Sequence, residues 1–398
     1  MSRISTRFQP FGLTIFAEMT ALANKHQAVN LAQGFPDFDG PDPIKHAAVD
    51  AINSGNNQYA RMQGVPELNA AIVANWKKQT GRDIDGETQV TVTSGCTEAL
   101  AATFLGLINP GDEVILFEPA YDCYSAGVAM AGGTQRFVTL KTPTAPNQPF
   151  TFDPDQLRRA VTNKTRAIVI NTPNNPTGKV FSRAELQQIA DLCIQHNLVA
   201  ITDEVYEHLR FDKSLPHISI ASLPGMADRT ITLSSLGKTY SLTGWKIGWA
   251  IASRELTRAV RSAHQFLTFC SSTPLQHGAA AALTHGQPHI NQLVSDLTTA
   301  KDHLGHALAD LGFKVFWPAG TYFIMADHTE VSKRMGINPA DDVAFCRKLT
   351  TDIGVAAIPP SGFYENKRWG TPLARFAFCK KPATMQAAVE RLQKLKRL

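Results

Sequence analysis

Lys238 follows the apolar run Ile231–Leu233. Hydroxyl groups surround it at Ser234, Ser235, Thr239 and Tyr240, and a second cation, Lys246, comes eight residues later. A lysine just past a strand end is held by the scaffold yet reaches a cleft. Desolvated, or placed beside another cation, its amine is neutral at working pH and can form a Schiff base with an aldehyde. A loop lysine taken alone is most often a solvated surface charge, so the argument turns on its company.

That company lies at other strand exits, where ligands bind in open α/β sheets. After QVTVT comes Ser94-Gly95-Cys96-Thr97, running straight into a helix. Its small residues let backbone N–H groups approach an anion that the helix dipole favours. After RAIVI comes the proline-pinned turn Asn171–Gly178 with Asn174 and Asn175, and after LVAIT comes Asp203-Glu204-Val205-Tyr206. Each piece has a plain structural use: SGCT as an N-cap, NNPTG as a turn, Asp203 as a helix cap. An anion cradle, an amide, a carboxylate and a lysine at successive strand exits go beyond turn chemistry. They suit pyridoxal phosphate, an aldehyde that needs a partner for its ring nitrogen and a cradle for its phosphate.

The elements that must position these groups are strands alternating with helices between about residues 45 and 275. Candidate strands are Val90–Val92, Glu113–Phe117, Arg136–Val138, Ala167–Ile170, Val199–Thr202, Thr230–Leu233 and Gly248–Ile251. Between them lie helices such as Glu98–Ile108 and Arg183–His196; the second carries Leu186, Ile189, Ala190 and Cys193 on one face. This alternation predicts an α/β fold with a mostly parallel seven-stranded sheet covered on both faces. Lys141–Pro154, with four prolines, reads as a long surface loop within it.

From about Ser295 the pattern changes. A long amphipathic helix leads to a strand around Gly320–Ile324, a helix near Asp341–Asp352 and a last helix near Ala383–Lys396. We expect a large domain over 45–285, a smaller α+β domain over 286–398, and an N-terminal segment, 1–44, packing with the smaller domain.

Composition narrows the class. The 398 residues are 43% hydrophobic and 18% charged, with a net charge of +5, ordinary for a globular chain of two or more domains. No Lys/Arg block or zinc-finger pattern points to nucleic acid. The six cysteines, Cys96, Cys123, Cys193, Cys270, Cys346 and Cys379, are scattered without a CxxC pair. They read as reduced thiols, with neither disulfides nor a metal site. The apolar start is interrupted by Arg3, Arg7, Pro10 and Gly12, unlike a signal peptide, and no run is long enough to span a bilayer. A cytoplasmic protein is expected.

The strings GFPDFDGPD, NQYA (Asn57–Ala60), EPAYDCY (Glu118–Tyr124), NTPNNPTGKVF (Asn171–Phe181) and GKTYSLTGWKIGW (Gly237–Trp249) resemble the fold-type I pyridoxal-phosphate aminotransferases. The likeness extends from Asn30 to Lys381. It is greatest to the branch of bacterial methionine aminotransferases and kynurenine/glutamine aminotransferases, which are also cysteine-conjugate β-lyases. The resemblance implies a homodimer with shared active sites and pyridoxal 5′-phosphate as cofactor, acting on an amino acid and a 2-oxo acid. By that resemblance Lys238 forms the internal aldimine and shuttles the proton. Asp203 pairs with the ring nitrogen, Asn175 and Tyr206 bond the phenolic oxygen, and Tyr121 stacks on the ring. Gly95, Cys96, Thr97, Ser235 and Lys246 hold the phosphate, with Tyr59 reaching it from the neighbouring subunit. Arg375 takes the substrate α-carboxylate, and Gly34 and Phe16 border the side chain.

Two positions depart from some relatives. Lys246 stands where many aminotransferases carry arginine, and Cys270, in His264–Pro274, stands where animal kynurenine-type enzymes carry histidine. The second favours a methionine-like enzyme over a kynurenine one. The pocket segments Leu13–Phe16, Gly34-Phe35 and, from the partner, Phe266–Cys270 supply aromatics and no cation, so apolar, thioether or aromatic donors are expected to outdo aspartate. The alternatives are a β-lyase or a kynurenine/glutamine aminotransferase on the same site. A non-catalytic regulator on this fold would need an added DNA-binding domain, for which the sequence before the recognisable fold leaves no room.

Overall fold

The computed structural model describes residues 4–9 and 11–397. Arg3 and Pro10, cited above as breaking the apolar start, lie outside the described residues. Among the described residues seven strands form one sheet. In order across it they are Val90–Thr93, Gly248–Ala252, Thr230–Ser235, Val199–Asp203, Thr165–Asn171, Glu113–Glu118 and Thr134–Thr139. All neighbours are parallel except Gly248–Ala252, which runs antiparallel to both strands beside it. Side chains alternate between two apolar layers. Ile115, Ile168 and Ile170 pack toward the helix Arg183–Gln195, while Leu116, Val169 and Ile201 pack toward the helix Gly95–Leu107. Strands covered on both faces read as continuous apolar runs, as in Glu113–Glu118, Thr165–Asn171 and Val199–Asp203, whereas the edge strand Thr134–Thr139 is only partly buried over its first four residues and mixes polar with apolar side chains.

A three-stranded antiparallel sheet, Lys314–Phe316, Phe323–Asp327 and Leu373–Ala377, forms the centre of the C-terminal part. The helices Gln287–Asp310, Asp342–Lys348 and Pro382–Leu392 accompany it. The N-terminal helix Ile15–Lys25 buries Met19 and Ala23 in the same core as Phe345, Phe376 and Met385, and Val29–Asn30 pairs in parallel with Val355–Ala356. That core also holds Val205, Tyr206 and Leu209 from beyond the end of Val199–Asp203, so the two sheets meet beside Asp203.

Several boundaries differ from expectation. The strand placed around Gly320–Ile324 runs Phe323–Asp327, because Thr321 sits at φ +68°, outside strand geometry. The helix expected from Glu98 begins at Gly95, since the SGCT segment is itself the first turn. The long helix starts at Gln287, not Ser295; Pro288 suits a first turn. The last helix gives way to a 3₁₀ turn over Gln393–Arg397. The proline-rich loop is not purely superficial: Lys141 bridges to Thr151, and Phe150 and Phe152 are buried. Among the described residues no helix is long and apolar enough to cross a membrane.

Candidate active site

A cavity of about 440 Å³ opens at the carboxyl ends of the parallel strands, where the two sheets meet. It gathers Gly95, Cys96, Thr97, Tyr121, Asn175, Asp203, Tyr206, Ser235, Lys238 and Lys246, with Phe16, Gly34 and Arg375 from the other side. Tyr59 alone of the sequence-derived set is elsewhere: it is 85% exposed and rests edge-on against Phe269, ring centroids 5.7 Å apart.

Asp203 ends its strand and is buried. It accepts from the Tyr124 hydroxyl at 2.7 Å and from Val205 N–H at 3.3 Å, and the Cys96 thiol lies 3.8 Å away. Burial pushes its carboxyl up from the usual range, while the Tyr124 hydroxyl, the Val205 amide and the Lys238 charge pull the other way. A cation brought against it inside this cavity would meet a ready counter-charge. Burial lowers the Lys238 ammonium from its ordinary value; Cys379 and Asp203 oppose the shift, and Lys246 and Arg375 add to it. Its Nζ stands 5.9 Å from the ring centroids of both Tyr206 and Tyr322. The result is an amine biased toward its nucleophilic neutral form.

The opposite end suits an anion. Gly95 has φ +73°, and a Cβ there would come within 3.1 Å of Lys246 Cε and Nζ. A Cβ on Gly248 would come within 2.6 Å of the Gly95 carbonyl carbon and 2.7 Å of the Cys96 amide nitrogen. Glycine at both places lets the helix start, the lysine and the neighbouring strand close around a small group. Lys246, itself in the left-handed region at φ +55°, holds Nζ 3.5 Å from Thr97 Oγ1.

Arg375 is 1% exposed. Its Nη1 donates to Asn175 Oδ1 at 3.0 Å and its Nη2 to Ala32 O at 2.8 Å, while Nε has no partner. The guanidinium lies 4.1 Å from the Phe323 ring centroid and 5.1 Å from that of Phe16. Burial lowers its pKa to about 10, so it stays cationic at neutral pH. A buried guanidinium with an unused donor is an anion receptor waiting for its ligand. Asn175 is fixed because its N–H donates to Asn171 Oδ1 at 2.7 Å, and Asn171 Nδ2 bonds the Asp203 carbonyl at 2.9 Å.

Several of these groups had drawn no sequence-based role. Tyr124 sits one helical turn past Tyr121, the spacing that could have flagged it. Asn171 was read only as a turn residue. Tyr322 donates to Gly34 O at 2.6 Å and packs edge-on to Tyr206, and Phe323 floors Arg375. Beyond Asp203 a second buried group gathers Glu204, Glu207 and His217, whose ligand-type atoms lie within 4.8 Å of one another. His217 Nε2 is 2.8 Å from Glu204 Oε2, so the cluster is internally paired, and burial raises the Glu207 carboxyl to about 7.

Residues 26–392 match the family profile described as aminotransferase class I and II. A probable N-succinyldiaminopimelate aminotransferase of Mycobacterium tuberculosis is 45% identical over 400 residues, 98% of each chain. The methionine aminotransferase of Escherichia coli is 38% identical over 390 residues, again 98% of each. Rat kynurenine–oxoglutarate transaminase 1 is 39% identical over 96% of each chain. The solved structure of an N-succinyldiaminopimelate aminotransferase from M. tuberculosis superposes with a TM-score of 0.93 at 46% identity, covering 98% of this chain and all of the other.

Proposed function

Because this chain belongs to the class I and II aminotransferases, enzymes that work with pyridoxal 5′-phosphate, we propose that its cavity takes an apolar, thioether or aromatic L-amino acid, methionine-like by preference, and passes the amino group to a 2-oxo acid. The donor set fits the cofactor: a glycine-built anion cradle, a buried carboxylate at the strand end, and a buried amine between them. When bound, pyridoxal phosphate supplies the aldehyde and an electron-withdrawing ring.

The chain's own groups divide the work. Gly95, Cys96, Thr97, Ser235 and Lys246 would hold the phosphate. Asp203, fixed by the Tyr124 hydroxyl, would hold a proton at the ring nitrogen. Tyr206 and the Asn175 amide would donate toward the phenolic oxygen; Asn175 Oδ1 is already taken by Arg375, which leaves its NH₂ for that purpose. Tyr121, which lines the cavity, would cover the ring. Arg375 would pair with the α-carboxylate and present Cα to Lys238 Nζ, the base for its proton.

The observation that carries the substrate class is the charge inventory. Among the described residues lining the cavity the Lys and Arg side chains are Lys238, Lys246 and Arg375, each with a use already. A side-chain carboxylate would sit desolvated beside Phe16, Phe35 and Gly34 without a partner, which is expensive. A thioether or aromatic ring gains from burial and sulfur–aromatic contact. The test compares kcat/KM for methionine, phenylalanine, kynurenine and aspartate with one oxo acid. A preference for aspartate would sink the pocket argument. Release of pyruvate and thiol from a cysteine conjugate, faster than oxo-acid formation, would favour the β-lyase alternative.

The M. tuberculosis relative motivates a second reading, a longer donor with distal carboxylates. Lys380 is buried and donates to Phe35 O at 2.7 Å, with its ammonium 4.8 Å from the Phe35 ring centroid, so a distal carboxylate would reach it only by displacing that hydrogen bond. N-succinyldiaminopimelate belongs in the same panel, and a kcat/KM above that for methionine would select it.

Enzymes of this family are generally dimeric. Tyr59 and Phe266, each 85% exposed, with Leu13 at 82%, are a large apolar surface to leave in water. We place them at a homodimer interface, with Tyr59 reaching the phosphate in the opposite subunit. The six cysteines are free thiols, which supports a reducing, cytoplasmic setting.

A further inference from the structure

A buried polar seam joins the phosphate cradle to the two segments just assigned to the interface. Glu98, in the helix that begins at Gly95, accepts from Ser94 N–H through Oε2 at 3.1 Å. The same carboxylate faces His264 Nδ1 with both oxygens, at 3.0 and 3.1 Å. The other ring nitrogen, Nε2, stands 3.1 Å from Met62 O. The Thr268 hydroxyl also stands 3.3 Å from Nδ1, so both ring nitrogens are engaged within the seam. The His264 side chain is wholly buried and that of Glu98 is 9% exposed. The seam continues through Ser94 Oγ to Ser271 Oγ at 3.1 Å. Gln276 closes it, accepting from Val65 N–H at 2.8 Å and donating to Ser271 O at 2.9 Å. None of these side chains has a part in the chemistry above.

One end of the seam is the first turn that cradles the phosphate. The other end fixes residues 58–65 and 264–276, which carry Tyr59, Phe266 and Phe269. We propose that the buried Glu98–His264 pair is a positioning link through which cofactor bound in one subunit firms the surface that subunit offers to its partner. Filling the cradle orders Gly95–Glu98; the Glu98 carboxylate holds His264, and His264 holds Met62, three residues from Tyr59. By linkage, dimerisation must then tighten cofactor binding by the same factor. This inference rests on the proposed dimer with Tyr59 at its interface.

The test measures the dimer dissociation constant by sedimentation, with and without pyridoxal phosphate, for wild type and Glu98→Gln. Wild type should show a coupling ratio in the usual range of roughly 5- to 150-fold, and Glu98→Gln a ratio within about twofold of unity, while cofactor absorbance shows that it still binds. General destabilisation would weaken both states alike and leave the ratio standing. Ser271→Ala, which removes one hydrogen bond of the seam, serves if Glu98→Gln does not fold, and should lower the ratio by a smaller factor. A monomeric wild type overturns the dimer reading and the link with it. A dimer whose ratio is already unity, or is unchanged in the variants, overturns the link alone.

Discussion

Replacing Arg375 by lysine isolates the carboxylate clamp. The native guanidinium is buried, held by Asn175 and Ala32, and 4.1 Å from the Phe323 ring centroid. With its pKa lowered only to about 10, it stays charged at pH 7. Lysine keeps a point charge but loses the planar fork. One charge-assisted hydrogen bond to the substrate is lost, about 1.5–3 kcal/mol. The contact with Phe323 lies within the protein and is present with and without substrate, so its weakening counts against folding stability and not against kcat/KM. The substrate hydrogen bond alone corresponds to about 10- to 160-fold in kcat/KM at 1.36 kcal/mol per decade. The α-carboxylate is bound in ground and transition states alike, so most of the loss should appear in KM. The assay is steady-state transamination of methionine, paired with single turnover of the methionine-derived amine that lacks the carboxylate. The amine should react equally slowly with both proteins. A variant with native KM, or an amine that suffers as much as methionine, would refute the clamp.

Asp203→Asn should lose about 1.5–3 kcal/mol of stabilisation at the ring nitrogen, with a larger effect on turnover than on cofactor affinity; near-normal kcat would reduce Asp203 to a structural cap. Lys238→Ala should fold and bind cofactor noncovalently, and borohydride reduction of wild type should place the pyridoxyl label on Lys238; a label on Lys246 would overturn the assignment. Mixing an inactive Tyr59 variant with Lys238→Ala should restore activity, because one hybrid site then has both residues; no recovery after confirmed subunit exchange would place Tyr59 in its own chain's site. Glu207→Gln addresses the buried cluster, where burial raises the carboxyl from 4.5 to about 7 against the pull of His217. The native state keeps a proton that the unfolded chain releases, so wild-type stability falls as pH rises across that window, by about 3 kcal/mol from this group. The stability of Glu207→Gln relative to wild type should climb between pH 4.5 and 7, read from denaturant midpoints; a flat difference would refute the assignment.

What the sequence disclosed and what it hid divide along a physical line. Strands covered on both faces appear as apolar runs, and the groups that follow Val90–Thr93, Thr165–Asn171, Val199–Asp203 and Thr230–Ser235 meet because parallel strands end at one edge. Lys238, Asp203, Asn175 and the SGCT turn were legible for that reason. Orientation within an element was not. Tyr124 bonds Asp203 only because the helix Asp122–Met130 starts where it does, and Thr321 displaces a strand through a backbone angle that no residue pattern announces. Least legible were pairings across distance: Glu98 and His264 lie 166 residues apart, each an ordinary helical residue in its own segment. The same holds for substrate choice. In one chain Tyr59 and Phe266 face water, and among the described residues Thr14, Phe16, Gln33, Gly34 and Phe35 line the cavity from the N-terminal segment. If a second subunit closes the cavity mouth, the donor side chain is sorted by residues from opposite ends of the sequence and from two copies of it. Methionine, kynurenine and succinylated donors can then be exchanged by changing the closing wall while the strand-end chemistry stays fixed, which is the pattern expected when relatives 38–45% identical to this chain bear different substrate names.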